Sequence, residues 1–253
     1  MVKKQFSVSL HFIISFPCRP VGKSTLLSLA CGLLKPETGS IRLFDQSAGA
    51  NSRKSEQNKN FFASGCSEKS TRIGYMLQKD HLFEWRNLYQ NVMLGPELQH
   101  NRTPEIISRI REMIDFYGLK DFTDSPPSSL SGGMRQRAAL IRTLATEPSL
   151  LILDEPFSAL DYQTRLEVTN DIATLIRKSG KTVLMVTHDL SEAVSVADRI
   201  LVLSERPCSL KADIPVSFPE QIISPQKRRE HPHFSVLFNL VWKELKKDHD
   251  SPF

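Results

Sequence analysis

The sequence predicts an α/β fold with a mainly parallel β-sheet, because short apolar runs alternate with helical patterns along its second half. Residues 150–153 form an unbroken apolar run, as expected for a strand that is covered on both faces. Helical spacing follows over residues 166–178, with Gly180 as its stop, and two further buried strands are predicted at 182–187 and 200–203. Strands that alternate with helices are typical of parallel sheets.

An apolar run at the N-terminus permits two interpretations. Residues 6–16 follow a pair of lysines, so the run resembles the apolar part of a short signal peptide. It also fits a buried strand that leads into the segment after it. The interruptions at Ser7, Ser9 and His11, together with the lack of a small-residue cleavage site, favour the strand.

The next segments predict a helix, a strand and a long loop. Residues 21–34 pass from a turn into a helical pattern that ends at Pro36, and residues 41–44 predict a short strand. Residues 46–71 are polar and rich in Ser, Asn and Lys, which predicts an exposed loop. A loop of this length is either an insertion or a functional element, and the lack of any chemical pattern favours an insertion.

Two more helices are predicted from their caps and apolar faces. One begins at Pro104, with Thr103 as its cap and Gly118 as its stop. The other occupies residues 234–245 in the tail, where the apolar residues share one face. We expect the tail helix to cover part of the core; a helix that binds a partner is the alternative.

Composition and charge exclude several classes of protein. The chain has 253 residues, of which 40% are hydrophobic and 24% charged, as in ordinary globular proteins rather than disordered ones. No stretch approaches the roughly 18 apolar residues of a membrane span. Lys and Arg exceed Asp and Glu by 33 to 28, a net charge of +5 that permits contact with nucleic acid or an anionic membrane but indicates neither. The cysteines lack metal-type spacing and fit a reducing compartment: Cys18, Cys31, Cys66 and Cys208.

A phosphate-binding motif is present in incomplete form. Gly22, Lys23, Ser24 and Thr25 match the end of the pattern G-x-x-x-x-G-K-[ST], in which backbone N–H groups surround phosphate oxygens. Lys23 is expected to reach the β and γ phosphates, and the Ser24 hydroxyl to ligate Mg²⁺. The first glycine of the pattern is replaced by proline, and a second proline follows inside the loop: Pro17 and Pro20. Each proline removes an N–H donor and fixes φ, which weakens the motif.

Two other motifs support a nucleotide site. Asp154 and Glu155 follow the apolar run at 150–153, so they lie where open α/β sheets bind ligands. Asp154 is expected to hold Mg²⁺, and Glu155 to act as a general base or to position water. Alone, such a pair of acids could be a plain turn. Ser131, Gly132 and Gly133 begin a helix with a hydroxyl and two bare backbone positions, which suits an anion.

In combination, three motifs give the chain a specific resemblance. LSGGMRQR, LLILDEPFSALD and VTHD are similar to the motifs of the ATP-binding-cassette (ABC) ATPases, and the resemblance extends from about Val21 to the C-terminus. It implies a P-loop NTPase (RecA-like) core with a mainly parallel sheet, a small antiparallel β part and an inserted α-helical subdomain. By this resemblance, residues 1–87 and 146–212 form the core, 88–145 the helical subdomain and 213–253 the tail.

The resemblance also implies roles for motif residues. Gln78 matches a loop that links the nucleotide and its Mg²⁺ to a membrane partner. Ser131, Gly132 and Gly133 match the signature that contacts the nucleotide of a second subunit, and Asp161 matches a loop at the dimer interface. His188 matches the histidine that contacts the γ-phosphate, so we expect it to act with Glu155 and Gln78 in catalysis.

Cofactors and partners follow from the same resemblance. It implies ATP and Mg²⁺, a second ABC ATPase subunit (a homodimer in the simplest case), permease subunits in the membrane and, indirectly, a substrate-binding protein. The chain would lie at the cytoplasmic face of the cell membrane as a peripheral subunit. LFEWRNLYQNV and LSERP resemble ATPases of nitrate/sulfonate/taurine-type importers. Trp85 and Arg86 fall in the region that faces the permease in this family, although an aromatic that covers the helical subdomain is the alternative.

The N-terminal segment departs from the family. PCRPVGKST replaces a glycine-rich loop, and only 16 residues precede it where the family has two or more strands. A truncated or frame-shifted gene start, or genuine degeneration, would explain this. The alternative function is therefore a cassette with impaired ATP binding that acts as a non-catalytic partner or is inactive. A cassette that acts on nucleic acid is disfavoured, because residues 46–71 lack the heptads of a coiled-coil insertion.

Overall fold

A computed structural model describes residues 10–15, 23–39, 41, 72–158, 160–179, 181–204, 208–219 and 224–246. Its six-stranded sheet has the order β2-β3-β4-β1-β5-β6. The first five strands in that order are parallel, and β6 is antiparallel to β5. The strands are β1 Leu10–Ser15, β2 Ile73–Met76, β3 Leu150–Asp154, β4 Thr182–Thr187, β5 Arg199–Leu203 and β6 Leu210–Pro215.

Helices cover both faces of the sheet. In chain order they are α1 Lys23–Ala30, α2 Leu88–Val92, α3 Leu94–Leu98, α4 Pro104–Phe116, α5 Gly132–Leu144, α6 Tyr162–Ser179, α7 Leu190–Val196, α8 Pro225–Glu230 and α9 Pro232–Lys246. Short 3₁₀ turns occupy Lys120–Phe122 and Pro127–Ser129. Leu27 of α1 packs in a small cluster with Ile152 and Val186 of the sheet, whereas the larger core joins the sheet to the remaining long helices.

The predicted α/β fold with a mainly parallel sheet is confirmed. The strand predicted within residues 6–16 is β1, and it lies in the middle of the sheet between β4 and β5. The strands predicted at 150–153, 182–187 and 200–203 are β3, β4 and β5. Among the described residues, β5 and β6 form the antiparallel part. The strand expected at 41–44, the loop at 46–71 and the stop at Gly180 lie outside the described residues, apart from Ile41.

Two helix boundaries differ from the sequence prediction. Helix α1 ends at Ala30 rather than continuing towards Pro36, because Gly32 adopts a left-handed φ of 73° and the chain turns away. Helix α6 begins at Tyr162, four positions before the predicted start at 166, because the Asp161 carboxylate accepts a hydrogen bond from the Thr164 N–H at 3.1 Å. This polar cap starts the helix before its apolar periodicity begins.

Helices α4 and α9 match their predictions closely. Thr103 caps α4 by accepting a hydrogen bond from the N–H of Ile106, and Gly118 supplies the left-handed stop with a φ of 67°. Helix α9 buries one apolar face against the large core, which bears out the prediction that the tail helix covers it. Its buried residues are Leu237, Val241 and Leu245.

Helices α2 to α5 all fall within residues 88–145, whereas β6 crosses the predicted division between 212 and 213. The domain division itself stays a prediction.

Candidate functional site

The candidate site lies along the edge where parallel strands β2, β3, β4 and β1 end. Asp154, the last residue of β3, pairs in register with Val186, and Thr187, the last residue of β4, pairs with Ile14 of β1. The residues that follow β3 and β4 therefore emerge side by side. Carboxyl ends of neighbouring parallel strands are the usual ligand site of an open α/β sheet.

Glu155 is the centre of this edge. Its backbone has a left-handed φ of 45°, although its N–H still donates to the carbonyl of Val186 at 2.9 Å. A left-handed non-glycine residue costs roughly 1–2 kcal/mol, so the surrounding contacts must hold this turn in place. Ser158 contributes one of them, because its hydroxyl donates to the Glu155 carbonyl at 3.0 Å.

Two predicted catalytic side chains converge on the Glu155 carboxylate. Gln78, which follows β2, donates from Nε2 to Glu155 Oε2 at 3.1 Å and also lies 3.4 Å from the Ser158 hydroxyl. His188, which follows β4, places Nδ1 at 3.3 Å from the same Oε2. The structure thus brings together a carboxylate, an amide and an imidazole from the ends of three strands.

Asp154 is suited to hold a divalent cation. The hydroxyl of Tyr75 donates to its Oδ2 at 3.4 Å. Burial, reinforced by the negative charge of Asp154, raises the pKa of Tyr75 to about 12, so the phenol stays a donor. The predicted metal ligands are a carboxylate, a hydroxyl and an amide, the oxygen donors that Mg²⁺ prefers. Because Gln78 donates through Nε2, its Oε1 is the atom left to meet a metal.

The phosphate motif is described only in part. Helix α1 begins at Lys23, and Thr25 in its first turn is exposed. Gly22, Pro17 and Pro20, and the side chains of Lys23 and Ser24, lie outside the described residues.

The signature residues form the start of α5. Ser131 caps this helix, because its hydroxyl accepts a hydrogen bond from the Met134 N–H at 3.3 Å. Gly132 is exposed, whereas Gly133 is buried against α6, where a Cβ would lie 2.7 Å from the Thr164 methyl. Asp161 is exposed, and its cap on α6 lowers the pKa of its carboxyl. Ser131, Gly133 and Asp161 therefore have structural roles within this chain.

Sequence reasoning missed the contacts that hold the segment after Gln78. Arg135 of α5 donates to both oxygens of Asp80, at 2.8 and 3.1 Å, and to Glu84 at 3.0 Å. Arg142 donates to the backbone carbonyls of Asp80 and His81 at 2.6 and 2.7 Å. Arg135 and Arg142 lie seven positions apart on one face of α5, and this spacing is the signal that was available.

The same segment carries a stacked aromatic pair, in which Trp85 is exposed and Phe83 is partly buried. Phe83 stacks on Trp85 with ring centroids 4.6 Å apart, and Trp85 is 78% exposed. The alternative in which Trp85 covers the helical subdomain does not fit this exposure.

Comparisons with known proteins show the family to which the chain belongs. The sequence profile of the ABC transporter family matches residues 19–158. The uncharacterized ABC transporter ATP-binding protein YtlC of Bacillus subtilis (strain 168) is 39% identical over 224 residues, covering 88% of this chain and 79% of that protein. The nitrate import ATP-binding protein NrtD of Synechocystis sp. is 33% identical, covering 86% and 75%. The taurine import ATP-binding protein TauB of Jannaschia sp. (strain CCS1) is 30% identical, covering 87% and 78%.

A solved structure shows the same fold. It is a dimeric post-hydrolysis state of an ATP-binding cassette bound to ADP and Pi, with a TM-score of 0.64 and 25% identity, covering 85% of this chain and 89% of that one. The chain belongs to the ABC transporter family and is an ATP-binding, ATPase-type subunit of a transporter. In the part of the chain that the structure describes, no helix is long and apolar enough to span a membrane.

Proposed function

We propose that this chain hydrolyses ATP to energise an importer of a small solute of the nitrate, sulfonate or taurine kind. The observation that carries the proposal is the convergence of Gln78 and His188 on the carboxylate of Glu155. The relatives named as taurine and nitrate import proteins support the class of solute.

In this mechanism Glu155 accepts the proton of a water that attacks the γ-phosphorus, as the bond to the β-phosphate oxygen breaks and ADP and phosphate form. Gln78 and His188 orient the carboxylate, and His188 is more than half exposed, so its imidazole can also reach a γ-phosphate oxygen. Positioned general bases contribute about 10²- to 10⁴-fold to rate, which makes Glu155 the most sensitive residue of the site.

Phosphate and metal binding are assigned to the start of α1 and the end of β3. Gly22, Lys23, Ser24 and Thr25 would bind phosphate oxygens, with the N-terminal end of α1 adding positive potential. Ser24, Asp154 and Gln78 would hold Mg²⁺, which when bound neutralises charge on the phosphates.

A second cassette, in the simplest case a copy of this chain, would complete the site. Ser131 and Gly132 are exposed at the start of α5, and so is Asp161 before α6, which supports contact across a dimer. Permease subunits at the cytoplasmic face would meet the exposed Trp85 and the partly buried Phe83 that stacks on it, because aromatic side chains suit an interface. A substrate-binding protein would act on the permease, and nucleic acid has no part in this function.

Steady-state phosphate release from the purified chain tests the proposal. We expect Glu155→Gln to reduce turnover at least 100-fold while ATP binding is retained, because the amide keeps the shape but accepts no proton. The exposed Glu112 on α4 gives a matched control, and Glu112→Gln should leave turnover unchanged. Equal turnover of Glu155→Gln and the unmodified chain would refute the assigned base.

The second candidate is a non-catalytic cassette, favoured by the prolines at 17 and 20. Calorimetric titration with ATP and Mg²⁺ separates the two candidates. Absence of binding at millimolar ATP would establish the non-catalytic reading, whereas binding with turnover would exclude it.

A further inference from the structure

A buried acid outside the motif residues lines the same pocket as the proposed catalytic base. Glu192, in the first turn of α7, is only 4% exposed. The pocket that it lines is also formed by Glu155, Ser158, Arg165, His188 and Asp189.

Glu192 holds the turn around His188 in place by a hydrogen bond from the hydroxyl of Thr187. The Oγ1 of Thr187 donates to Glu192 Oε2 at 2.7 Å and accepts a hydrogen bond from the Asp189 N–H at 3.0 Å. Thr187 and Asp189 are the two chain neighbours of His188, so both ends of this turn are tied to one buried carboxyl. The Asp189 carboxylate in turn accepts from the Glu192 N–H at 3.0 Å, which closes the arrangement.

The other oxygen of the Glu192 carboxyl, Oε1, has no hydrogen-bond partner among the described residues. Arg165 Nε, which is also buried, has no partner among them either. Arg165 connects this arrangement to the segment before α6, because its Nη2 donates to the Leu160 carbonyl at 2.8 Å and its Nη1 lies 3.6 Å from the Asp189 carboxylate. A buried polar atom without a partner costs free energy, so a carboxyl at this position calls for a role beyond packing.

We propose that Glu192 is a positioning residue for His188: through Thr187 it holds the imidazole at the distance from Glu155 that the reaction requires. The proposal rests on the proposed function, since it concerns the same site. The His188 side chain makes no hydrogen bond to Glu192, so its position depends on the turn. A misplacement of about 1 Å at a catalytic group can cost on the order of 100-fold in rate.

Five variants test this inference by turnover: three single changes at Glu192 or Thr187, and His188→Ala with and without Glu192→Ala. Glu192→Ala and Thr187→Val each break the contact at a different atom, and we expect each to lower kcat tenfold or more with little change in KM for ATP. Glu192→Gln keeps an oxygen that accepts from Thr187 and should retain turnover within about threefold. In a His188→Ala background, Glu192→Ala should have no further effect, because the group that it positions is gone. An equal loss with and without His188 would show a merely structural role and overturn the proposal.

A second readout does not depend on hydrolysis. With ring-labelled histidine, the His188 signals are identified by their loss in His188→Ala. They should shift in Glu192→Ala and Thr187→Val but not in Glu192→Gln or in the exposed control Glu112→Ala. Unshifted signals in the first two variants would overturn the positioning role. A chain that lacks turnover altogether would refute the proposed function, while these signals would still decide the role of Glu192.

Discussion

Glu192 combines a carboxyl group with an environment that disfavours its charge. Burial raises the pKa of Glu192 to about 7, against a hydrogen bond from Thr187 that lowers it. Asp189 nearby adds to the rise, whereas Arg165 of α6 and Arg229 of α8 oppose it, and Glu155 and His188 line the same pocket. The folded chain therefore keeps a proton on this carboxyl at a pH where the unfolded chain has released it.

This difference predicts how stability depends on pH. The ordinary pKa of a glutamate is 4.5, and that of Glu192 in the folded chain is about 7. Between these pH values the folded chain binds one proton more than the unfolded chain. The contribution of Glu192 to the free energy of unfolding therefore falls as pH rises through this window. We expect Glu192→Gln to remove that loss, so that its stability relative to the unmodified chain improves from pH 4.5 to 7. Urea denaturation at several pH values measures this. A constant difference between the two proteins would contradict it.

Position 133 requires glycine because a side chain has no room there, not because of its backbone conformation. An added Cβ would lie 2.7 Å from the Thr164 methyl, too close for helices α5 and α6 to stay in place. We expect Gly133→Ala to lower the free energy of unfolding by about 1–3 kcal/mol. Gly132→Ala is the matched control, because its Cβ would meet Leu160 at an ordinary 3.7 Å. Chemical denaturation compares the two.

Removal of the opposing methyl tests the cause. Thr164→Ser should restore most of the stability lost in Gly133→Ala, because serine lacks the Cγ2 atom. Failure of this rescue, or an equal loss in Gly132→Ala, would show that the cost has another origin.

At the level of elements, α5 holds the segment that follows β2. Arg135 and Asp80 form a two-bond ion pair whose side chains are 25% and 20% exposed. Burial raises the pKa of the Asp80 carboxyl, but its hydrogen bonds and the positive charges of Arg135 and Arg142 together bring the pKa below its usual value. This segment begins after Gln78 and reaches Trp85. Contacts with α5 therefore connect Gln78 and Trp85 to the helix that begins with the signature residues.

A double-mutant cycle on this pair tests the link. We expect Asp80→Asn and Arg135→Gln to show a coupling of about 1–2 kcal/mol in the free energy of unfolding, because the pair is bidentate and partly buried. Lys120 and Asp115 provide the control pair, at 3.6 Å with both side chains largely exposed, and should couple by less than about 0.5 kcal/mol. Equal couplings in the two cycles would refute a specific clamp.

The elements that sequence predicted best are those with the simplest surroundings. Strand β4 was predicted with its observed bounds, because a central parallel strand reads as an apolar run with no turn residue inside it. Strand β2 went unpredicted, since it has only four residues and contains Gly74, which approaches Pro148 too closely for a side chain. Strand β6 was missed because an antiparallel edge strand mixes polar and apolar residues. Helix α6 begins before its predicted start because the residue that caps it is polar.

For the whole molecule, the strand order could not be read from the sequence. The position of β1 between β4 and β5 depends on pairings across more than 150 residues, for which local periodicity carries no signal. The family resemblance nevertheless grouped Gln78, Glu155 and His188 as catalytic residues, although the strand before Gln78 was not predicted, and the structure brings the three side chains together. The contact between Thr187 and Glu192 could not be predicted, because a buried acid in a helix has no distinguishing pattern before its neighbours are known.

Helix α9 makes the tail part of the cooperative structure. Its buried face belongs to the same core as the sheet, with Val241 fully buried there, whereas Val236 on the opposite face is 60% exposed. We expect Val241→Ala to lower the free energy of unfolding by about 1–3 kcal/mol, and the matched Val236→Ala to change it by less than 0.5 kcal/mol, roughly the ordinary cost at a surface site.

Two probes decide whether the tail and the sheet unfold together. Trp242 on α9 is half-buried and Trp85 is largely exposed, so in a Trp85→Phe background fluorescence reports the tail while far-UV circular dichroism reports the whole chain. Both denaturation curves should have one midpoint, and Val241→Ala should move the two midpoints by the same amount. A fluorescence transition at lower denaturant than the dichroism transition would mean that α9 detaches first, because the core it covers would then be stable without it.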